Sequence, residues 1–185
     1  GRLLHEAEID AIFTAEGKPQ NAKASLLERN RAIVYVLAGS GLRNSELRAL
    51  RPCDLVFGDA ENACIIVQSG KGDKYRRSQF PAVVQDAVRK YLASGQRPDG
   101  LTDNDLLFGV GKTAAEWHEI RRDNLSQVVS NFVRAETGHE GVRTHALRHA
   151  FASQLLSNGV KMQEIQALLG HSSIITTEKY AELLA

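Results

Sequence analysis

The feature that most constrains the fold is a helical pattern between Thr144 and Gly170. Apolar residues recur there at spacings of three and four, which is the spacing of one face of an α-helix. The pattern is interrupted at Gly159 and stops at Gly170, and glycine commonly ends helices because it adopts left-handed backbone angles without strain. The chain therefore predicts two consecutive helices, the first of them capped by Thr144. Their core-facing residues are predicted to be Leu147, Phe151, Leu155, Met162, Ile165 and Leu169.

Residues suited to binding a phosphate occupy the same stretch. His145 and Arg148 are three positions apart in the first helix, so their Cβ atoms share a face and lie roughly 5–6 Å apart. That face is predicted to present an imidazole and a guanidinium while the other side packs. His171 directly follows the second helix, and Tyr180 comes one short element later. Each residue alone is more simply explained as a satisfied polar or half-buried aromatic side chain, but the set indicates a phosphate site with a nucleophile.

These residues resemble the C-terminal signature of the tyrosine recombinases, the phage-integrase family. The family pattern is H-x-x-R-H, then L-G-H-S, then a tyrosine nine residues after that histidine, and this chain has all three parts. His145, Arg148 and His149 match the first part, residues 169–172 the second and Tyr180 the third. The resemblance covers nearly the whole chain and implies one catalytic domain over residues 1–185. It also implies an α+β fold, mainly helical with a small antiparallel β-sheet.

A further motif, GLRNSELRAL, which we call the second box, lies at residues 41–50, earlier in the chain than the C-terminal signature. Asn44 or Ser45 is predicted to cap a helix that runs to the end of the box. Taken alone, the box is an ordinary amphipathic helix. However, G-L-R-x-S-E-L also resembles the first conserved box of the tyrosine recombinases, whose arginine contacts the scissile phosphate. Arg43 matches that arginine, and Glu46 matches an acidic position that we expect to brace the site.

Two β runs, at 63–68 and 75–80, are joined by a turn that contains two glycines and two lysines. The pattern predicts a β-hairpin, and a lysine in such an exposed turn is common. In the family, G-K-G-x-K-x-R at this turn carries a catalytic lysine, which Lys71 matches. Residues 78–79 depart from the family pattern that follows, so the register of the second strand stays open. Lys74 therefore remains an alternative to Lys71.

Apolar periodicity predicts four further helices, over residues 3–13, 24–38, 82–93 and 125–137. Residues 94–104 are rich in Gly, Pro, Asp and Asn and predict a loop. The segment 109–124 is longer than the family pattern requires, and the sequence assigns it no role.

The composition is that of an ordinary globular domain: 185 residues, 43% of them hydrophobic and 24% charged. No apolar run approaches the roughly 20 residues that span a bilayer, so no membrane association is expected. Cys53 and Cys64 do not form a disulfide framework, and they fit a reducing cytoplasm. Neither cysteine has the histidine spacing of a zinc site.

The expected partner is double-stranded DNA, although the formal net charge of +1 does not by itself indicate nucleic acid. Binding would need a local basic face. Family members normally carry an N-terminal DNA-binding domain, and none precedes Leu3. We expect the isolated chain to be a monomer and the full-length protein to assemble as a tetramer on DNA. The expected DNA-binding residues are Lys74, Arg76, Arg77 and Arg143.

The residue types suit attack of a tyrosine hydroxyl on a DNA phosphodiester. Arg43 and Arg148 would bind the phosphate, because each guanidinium is a planar, permanently charged fork of donors. His145 and His171 would donate hydrogen bonds to the same phosphate, and one of them would assist deprotonation of the tyrosine. Tyr180 is the expected nucleophile and Lys71 the expected general acid. This chemistry needs neither a metal nor another cofactor.

Two alternatives remain at this point. A type IB topoisomerase uses similar chemistry and would relax supercoiled DNA without a defined site. A plain DNA-binding regulator would instead use the two helices around Gly159 as a helix-turn-helix and would form no covalent adduct. The two conserved boxes of the family pattern favour a site-specific recombinase, although they do not identify its DNA site.

Overall fold

The structure is a computed structural model, and it describes residues 4, 6–14, 26–68 and 75–170. Within those residues the chain forms seven α-helices and five short strands. The helices are α1 (Glu6–Thr14), α2 (Leu27–Ser40), α3 (Asn44–Ala49), α4 (Ala82–Ala93), α5 (Arg122–Thr137), α6 (Thr144–Ser157) and α7 (Met162–Leu169). The strands are β1 (Leu55–Val56), β2 (Cys64–Gln68), β3 (Tyr75–Gln79), β4 (Gly109–Val110) and β5 (His118–Glu119). No helix in these ranges is long and apolar enough to cross a membrane.

Helix α2 lies at the centre of the domain. It contacts α1, α3, α4, α5 and α6, and every residue from 32 to 38 is buried. A helix that is apolar on all sides is stable only when other elements surround it. Residues 32–38 of α2 form a continuous apolar run, AIVYVLA, so α2 organises the core rather than covering one side of it.

The predicted hairpin is confirmed. Strands β1, β2 and β3 form an antiparallel sheet in that order. Strand β2 pairs with β3 so that Cys64 faces Gln79 and Gln68 faces Tyr75. The residues that depart from the family pattern are part of β3: Ser78 pairs with Ile65, and its buried hydroxyl donates a 2.6 Å hydrogen bond to the carbonyl of Ser40. This bond attaches the hairpin to the end of α2.

Gly41 turns the chain from α2 towards the second box. Its φ is 62°, a left-handed value that glycine adopts without strain, and its N–H donates to the carbonyl of Leu37. A Cβ at this position would overlap the ring of Phe151 on α6. The absence of a side chain therefore lets the backbone before Arg43 pass directly against α6.

The structure corrects two predicted helix caps: the cap of α6 by one residue, and the cap of α3 by one residue from Asn44 or two from Ser45. Thr144 is the first residue of α6, and the extended residue before the helix is Arg143 (φ −119°, ψ 167°). Arg43, rather than Asn44 or Ser45, precedes α3, and its backbone N–H donates to the Glu46 carboxylate at 2.7 Å. This is the bond that a Glu makes from the third helical position to the N–H of the residue before the helix, and it does not need a hydroxyl or amide side chain at the cap.

Helices α6 and α7 form a small second cluster. Gly159 and Gly170 end them with φ values of 80° and 63°, as predicted. Most of the predicted core-facing residues are buried, whereas Met162 is only half-buried. The buried members of the cluster are Phe151, Ala152, Leu155, Ile165 and Leu169.

The segment 109–124, which the sequence left unassigned, contains a two-stranded antiparallel sheet. Strand β4 pairs with β5, Gly109 facing Glu119 and Val110 facing His118. The indole N–H of Trp117 donates to the carbonyl of Leu106 at 2.9 Å, which holds this small sheet against the chain that precedes it.

Candidate active site

Three arginines from distant parts of the chain converge on the C-terminal end of α7. Arg43 precedes α3, Arg76 lies on β3 and Arg148 lies on α6. Arg76 donates through Nε to the carbonyl of Leu168 at 2.8 Å. Arg148 donates through an Nη to the carbonyl of Leu169 at 2.6 Å, and Arg43 donates through an Nη to the carbonyl of Gly170 at 2.8 Å. Three consecutive backbone acceptors thus receive one guanidinium each.

The backbone of α7 explains why cations gather there. The last carbonyl groups of an α-helix have no intrahelical donor, and they carry the negative end of the helix dipole. Gly170 then turns the chain out of the helix in a left-handed conformation. Three arginines from other parts of the chain therefore hold residues 168–170, the last of which directly precedes His171.

A single carboxylate, that of Glu46, lies among the three guanidiniums. Arg76 binds it in a bidentate manner, Nη1 to Oε1 at 2.7 Å and Nη2 to Oε2 at 2.8 Å. Arg43 donates to Oε1 at 2.9 Å, and Arg148 approaches Oε2 at 3.9 Å. Burial favours the neutral carboxyl, but hydrogen bonds from Arg76 and from the Arg43 backbone outweigh burial, so the pKa of Glu46 is lowered. Among the described residues of the site, three guanidiniums therefore surround one carboxylate.

Arg43 and Arg148 differ in accessibility. The side chain of Arg43 is 39% exposed, whereas that of Arg148 is 4% exposed. Arg148 donates to the carbonyl of Gly41 at 2.6 Å, in addition to its bond to α7. The prediction that α6 presents this guanidinium on an open face is wrong, because the side chain lies between the loop after α2 and the end of α7. A phosphate at this site would meet Arg43 first.

His145 and His149 form a hydrogen-bonded pair one turn apart on α6. Their Nε2 atoms are 2.7 Å apart, and the rings meet edge to face at 4.2 Å between centroids. One ring must donate and the other accept, so both cannot be protonated in this arrangement. Burial and the neighbouring charges lower the pKa of His149 to about 4, and burial followed by the charge of Arg148 lowers the pKa of His145. His145, the exposed member, is therefore mainly neutral near pH 7.

Four of the predicted site residues lie outside the described residues: Lys71, Lys74, His171 and Tyr180. The structure consequently brings together Arg43, Arg148 and the backbone just before His171, with His145 on the same helix as Arg148. The roles predicted for the four remaining residues stay predictions.

The basic residues predicted to bind DNA point in different directions. Arg143 and Arg77 are exposed, and Arg77 contacts Cys64 Sγ and the carbonyl of Asn62 on the outer side of the hairpin. Arg76, the next residue along β3, points inward to Glu46 and α7, because successive side chains of a strand alternate between its faces. Sequence reasoning grouped the two arginines, and it missed the inward role of Arg76. The acidic position at Glu46 indicated that the site needs a cationic partner, but not which of the two arginines supplies it.

Comparison with known sequences matches the chain to one family. A model described as the phage integrase family matches residues 2–185. The tyrosine recombinase XerA of Thermococcus onnurineus is 36% identical over 159 residues, which are 84% of this chain and 51% of that protein. The tyrosine recombinase XerD of Ralstonia nicotianae is 33% identical over 188 residues, 98% of this chain and 56% of that protein. The chain thus spans about half the length of the curated relatives it matches.

Solved structures agree with the fold. A crystal structure of XerA recombinase superposes with a TM-score of 0.76 at 32% identity, covering 97% of this chain and 58% of that one. The XerH site-specific recombinase, bound to palindromic difH substrate in a post-cleavage complex, gives a TM-score of 0.79 over 98% of this chain and 49% of that one. Its identity of 22% supports likeness of fold alone. The predicted α+β fold, mainly helical with a small antiparallel sheet, is confirmed.

Proposed function

The chain belongs to the phage integrase family of tyrosine recombinases, and on this premise we propose that it is the catalytic domain of a site-specific DNA recombinase. The observation that carries the proposal is the convergence of Arg148 and Arg43 on the carbonyls of Leu169 and Gly170, the two residues before His171. These two arginines are more than 100 positions apart, as the bond from Arg148 to Gly41 illustrates. A fold that brings such distant guanidiniums to one backbone turn suits the binding of an anion.

The proposed substrate group is a DNA phosphodiester. Arg43 uses two hydrogen bonds on Glu46 and Gly170, and a guanidinium carries five N–H donors, so it can bind a phosphate oxygen without leaving its place. Arg148 adds permanent positive charge from the buried side of the site. Negative charge grows on the non-bridging oxygens in the transition state, and preorganised cations stabilise that charge more strongly than they stabilise the ground state.

In the proposed reaction the hydroxyl oxygen of Tyr180 attacks phosphorus and the bond from phosphorus to the 5′-oxygen breaks. The product is a 3′-phosphotyrosyl bond and a free 5′-hydroxyl. The tyrosine proton passes to a neutral histidine, His145 or His171, and the lowered pKa of His145 keeps that side chain in the accepting form. The leaving oxygen takes its proton from Lys71 or Lys74. Attack by a second 5′-hydroxyl reverses these steps and joins a new strand, with no metal or cofactor.

The proposed partners are double-stranded DNA and further recombinase subunits assembled on it. Arg77, Arg143 and Lys74 would contact DNA phosphates, which position the protein without reading sequence. A cytoplasmic location is part of the same proposal. The relatives named above are all called recombinases, so neither a topoisomerase nor a helix-turn-helix regulator is favoured.

The proposal is tested by trapping the covalent intermediate. A pool of nicked duplexes with a randomised core should yield a protein–DNA band on a denaturing gel, because loss of the short strand beside the nick prevents rejoining. Tyr180→Phe should abolish the band and leave DNA affinity nearly unchanged, since only the hydroxyl attacks. A wild-type protein that binds DNA and forms no adduct would refute the proposed function, and an adduct that persists in Tyr180→Phe would assign the nucleophile elsewhere.

A further inference from the structure

Arg76 has a contact pattern unlike that of a residue poised to bind a ligand. All three nitrogens of its guanidinium donate to the protein: Nε to the carbonyl of Leu168, Nη1 and Nη2 to the two oxygens of Glu46, at 2.7–2.8 Å. The side chain is only 9% exposed. Arg77, beside it on β3, is exposed and lies on the other face of the strand.

The contacts of Arg76 close a ring that includes Arg43. Oε1 of Glu46 accepts from both arginines, at 2.7 Å from Arg76 and 2.9 Å from Arg43. At the other side, Arg76 and Arg43 donate to carbonyls of the same helix end, those of Leu168 and Gly170. The position of the Arg43 guanidinium is therefore fixed by Glu46 and by α7, and Arg76 bonds to both.

We propose that Arg76 is a positioning residue for DNA cleavage and makes no contact with DNA. It holds β3, α3 and the end of α7 at fixed separations, and it occupies the Glu46 carboxylate so that Arg43 can direct its charge to the phosphate. The inference rests on the proposed function, because it assigns to Arg76 a part in aligning that reaction.

The charges explain why removing Arg76 would impair cleavage. Without it, the buried Glu46 carboxylate keeps Arg43 as its main hydrogen-bonding partner, and the positive charge available to a phosphate falls. The carbonyl of Leu168 also loses its side-chain donor, so the end of α7 is held by two arginines instead of three. Misplacement of a reacting group by about 1 Å can cost roughly 100-fold in rate. Lysine cannot replace the arginine, because one ammonium does not span a bidentate carboxylate and a carbonyl.

The test compares Arg76→Gln and Arg76→Lys with Arg89→Gln, a matched loss of charge from an arginine on α4 whose side chain is 53% exposed. Cleavage is measured in single turnovers at saturating DNA, and affinity is measured across a salt series. We expect both Arg76 variants to cleave about 10- to 100-fold more slowly with affinity and salt slope unchanged. Arg89→Gln should cleave at the wild-type rate. If Arg76→Gln does not fold, the same measurements are made on Arg76→Lys, which keeps the positive charge.

A double variant at Arg76 and Glu46 distinguishes the proposed role from a merely structural one. Because Glu46 offsets the positive charge of Arg43 only while it is ionised, Glu46→Gln should restore part of the cleavage lost in Arg76→Gln, whereas it cannot restore the lost hydrogen bond to Leu168. No recovery in the double variant would overturn the inference. A salt slope reduced by about 1, with normal cleavage at saturation, would show a direct phosphate contact and would also overturn it.

Failure of the inference and failure of the proposed function give different results. Wild-type rates in the Arg76 variants would overturn the inference alone, since the wild-type adduct would still form. Absence of the wild-type adduct would overturn the proposed function. The geometry is tested in either case by the ¹³C carbonyl resonances of Leu168 and Gly170, which should both shift in Arg76→Lys. An unchanged Leu168 resonance would contradict the ring of contacts.

Discussion

The centre of the domain and the end of α7 are held by different forces. Around α2 the contacts are apolar and come from five other helices. Helix α7 packs on α6 and β3, its apolar cluster has five buried members, and its last carbonyls are bound by arginines. Apolar packing is nondirectional and maintains the scaffold, whereas charged hydrogen bonds fix specific atoms. The comparison indicates a rigid frame that carries a site set by polar contacts.

The largest expected effect comes from removing the phosphate-binding charges. Arg43→Ala and Arg148→Ala should each slow cleavage by a factor of order 10² or more, as for loss of a transition-state donor. The two should differ in stability, because Arg148 is buried and bonded to Gly41 and Leu169 while Arg43 is partly exposed. Thermal unfolding and single-turnover cleavage measure the two effects. Near-normal cleavage by Arg148→Lys would count against the fork geometry.

A matched pair of substitutions separates frame from site. Ile33 on α2 and Ile165 on α7 are both almost fully buried. Ile33→Ala should lower the free energy of unfolding by about 2–5 kcal/mol while each folded molecule cleaves normally. Ile165→Ala should cost less in global unfolding and should slow cleavage, because it loosens the helix that the arginines hold. Denaturant titration and cleavage per folded molecule distinguish these outcomes, and equal effects on both measurements would remove the distinction between the regions.

The smallest effect concerns the pH dependence of stability. The folded pKa of His149 is about 4, below its unfolded value of about 6.5. The unfolded chain therefore binds the proton more readily, and stability that is fully present above pH 6.5 should fall as the pH drops towards 4. His149→Asn should flatten the curve in that window. Glu46, whose pKa is also lowered, should give a further loss only at more acidic pH. A wild-type curve that is flat between pH 6.5 and 4 would contradict the neutral state of the half-buried His149.

Hydrophobic periodicity predicted the helices and strands that bury one apolar face. The range 82–93 matches α4, and the hairpin and the glycine stops at 159 and 170 are also confirmed. The two-residue strands β4 and β5 were missed because so short a run has no measurable period. Helix α4, the hairpin and the glycine helix ends depend on local sequence, and they are long enough or distinct enough for the sequence alone to predict them.

The site was predictable as a set of residues but not as a set of contacts. The match to the family pattern identified Arg43 and Arg148. The sequence could not show that backbone carbonyls at the end of α7 accept hydrogen bonds from both. Arg76 and Arg77 are adjacent and chemically identical, and only the register of β3 decides which one faces inward. Because residues 78–79 depart from the family pattern, that register stayed open, and the sequence had no means to separate the two arginines.

The central claim is that distant arginines organise a tyrosine nucleophile on the chain that follows α7. The most direct measurement is to digest the trapped protein–DNA adduct with a protease and identify the DNA-linked peptide by mass spectrometry. The account predicts that the DNA is attached through Tyr180, with the yield of that peptide falling about 10²-fold in Arg43→Ala. Attachment at another residue, or an unchanged yield in Arg43→Ala, would contradict it.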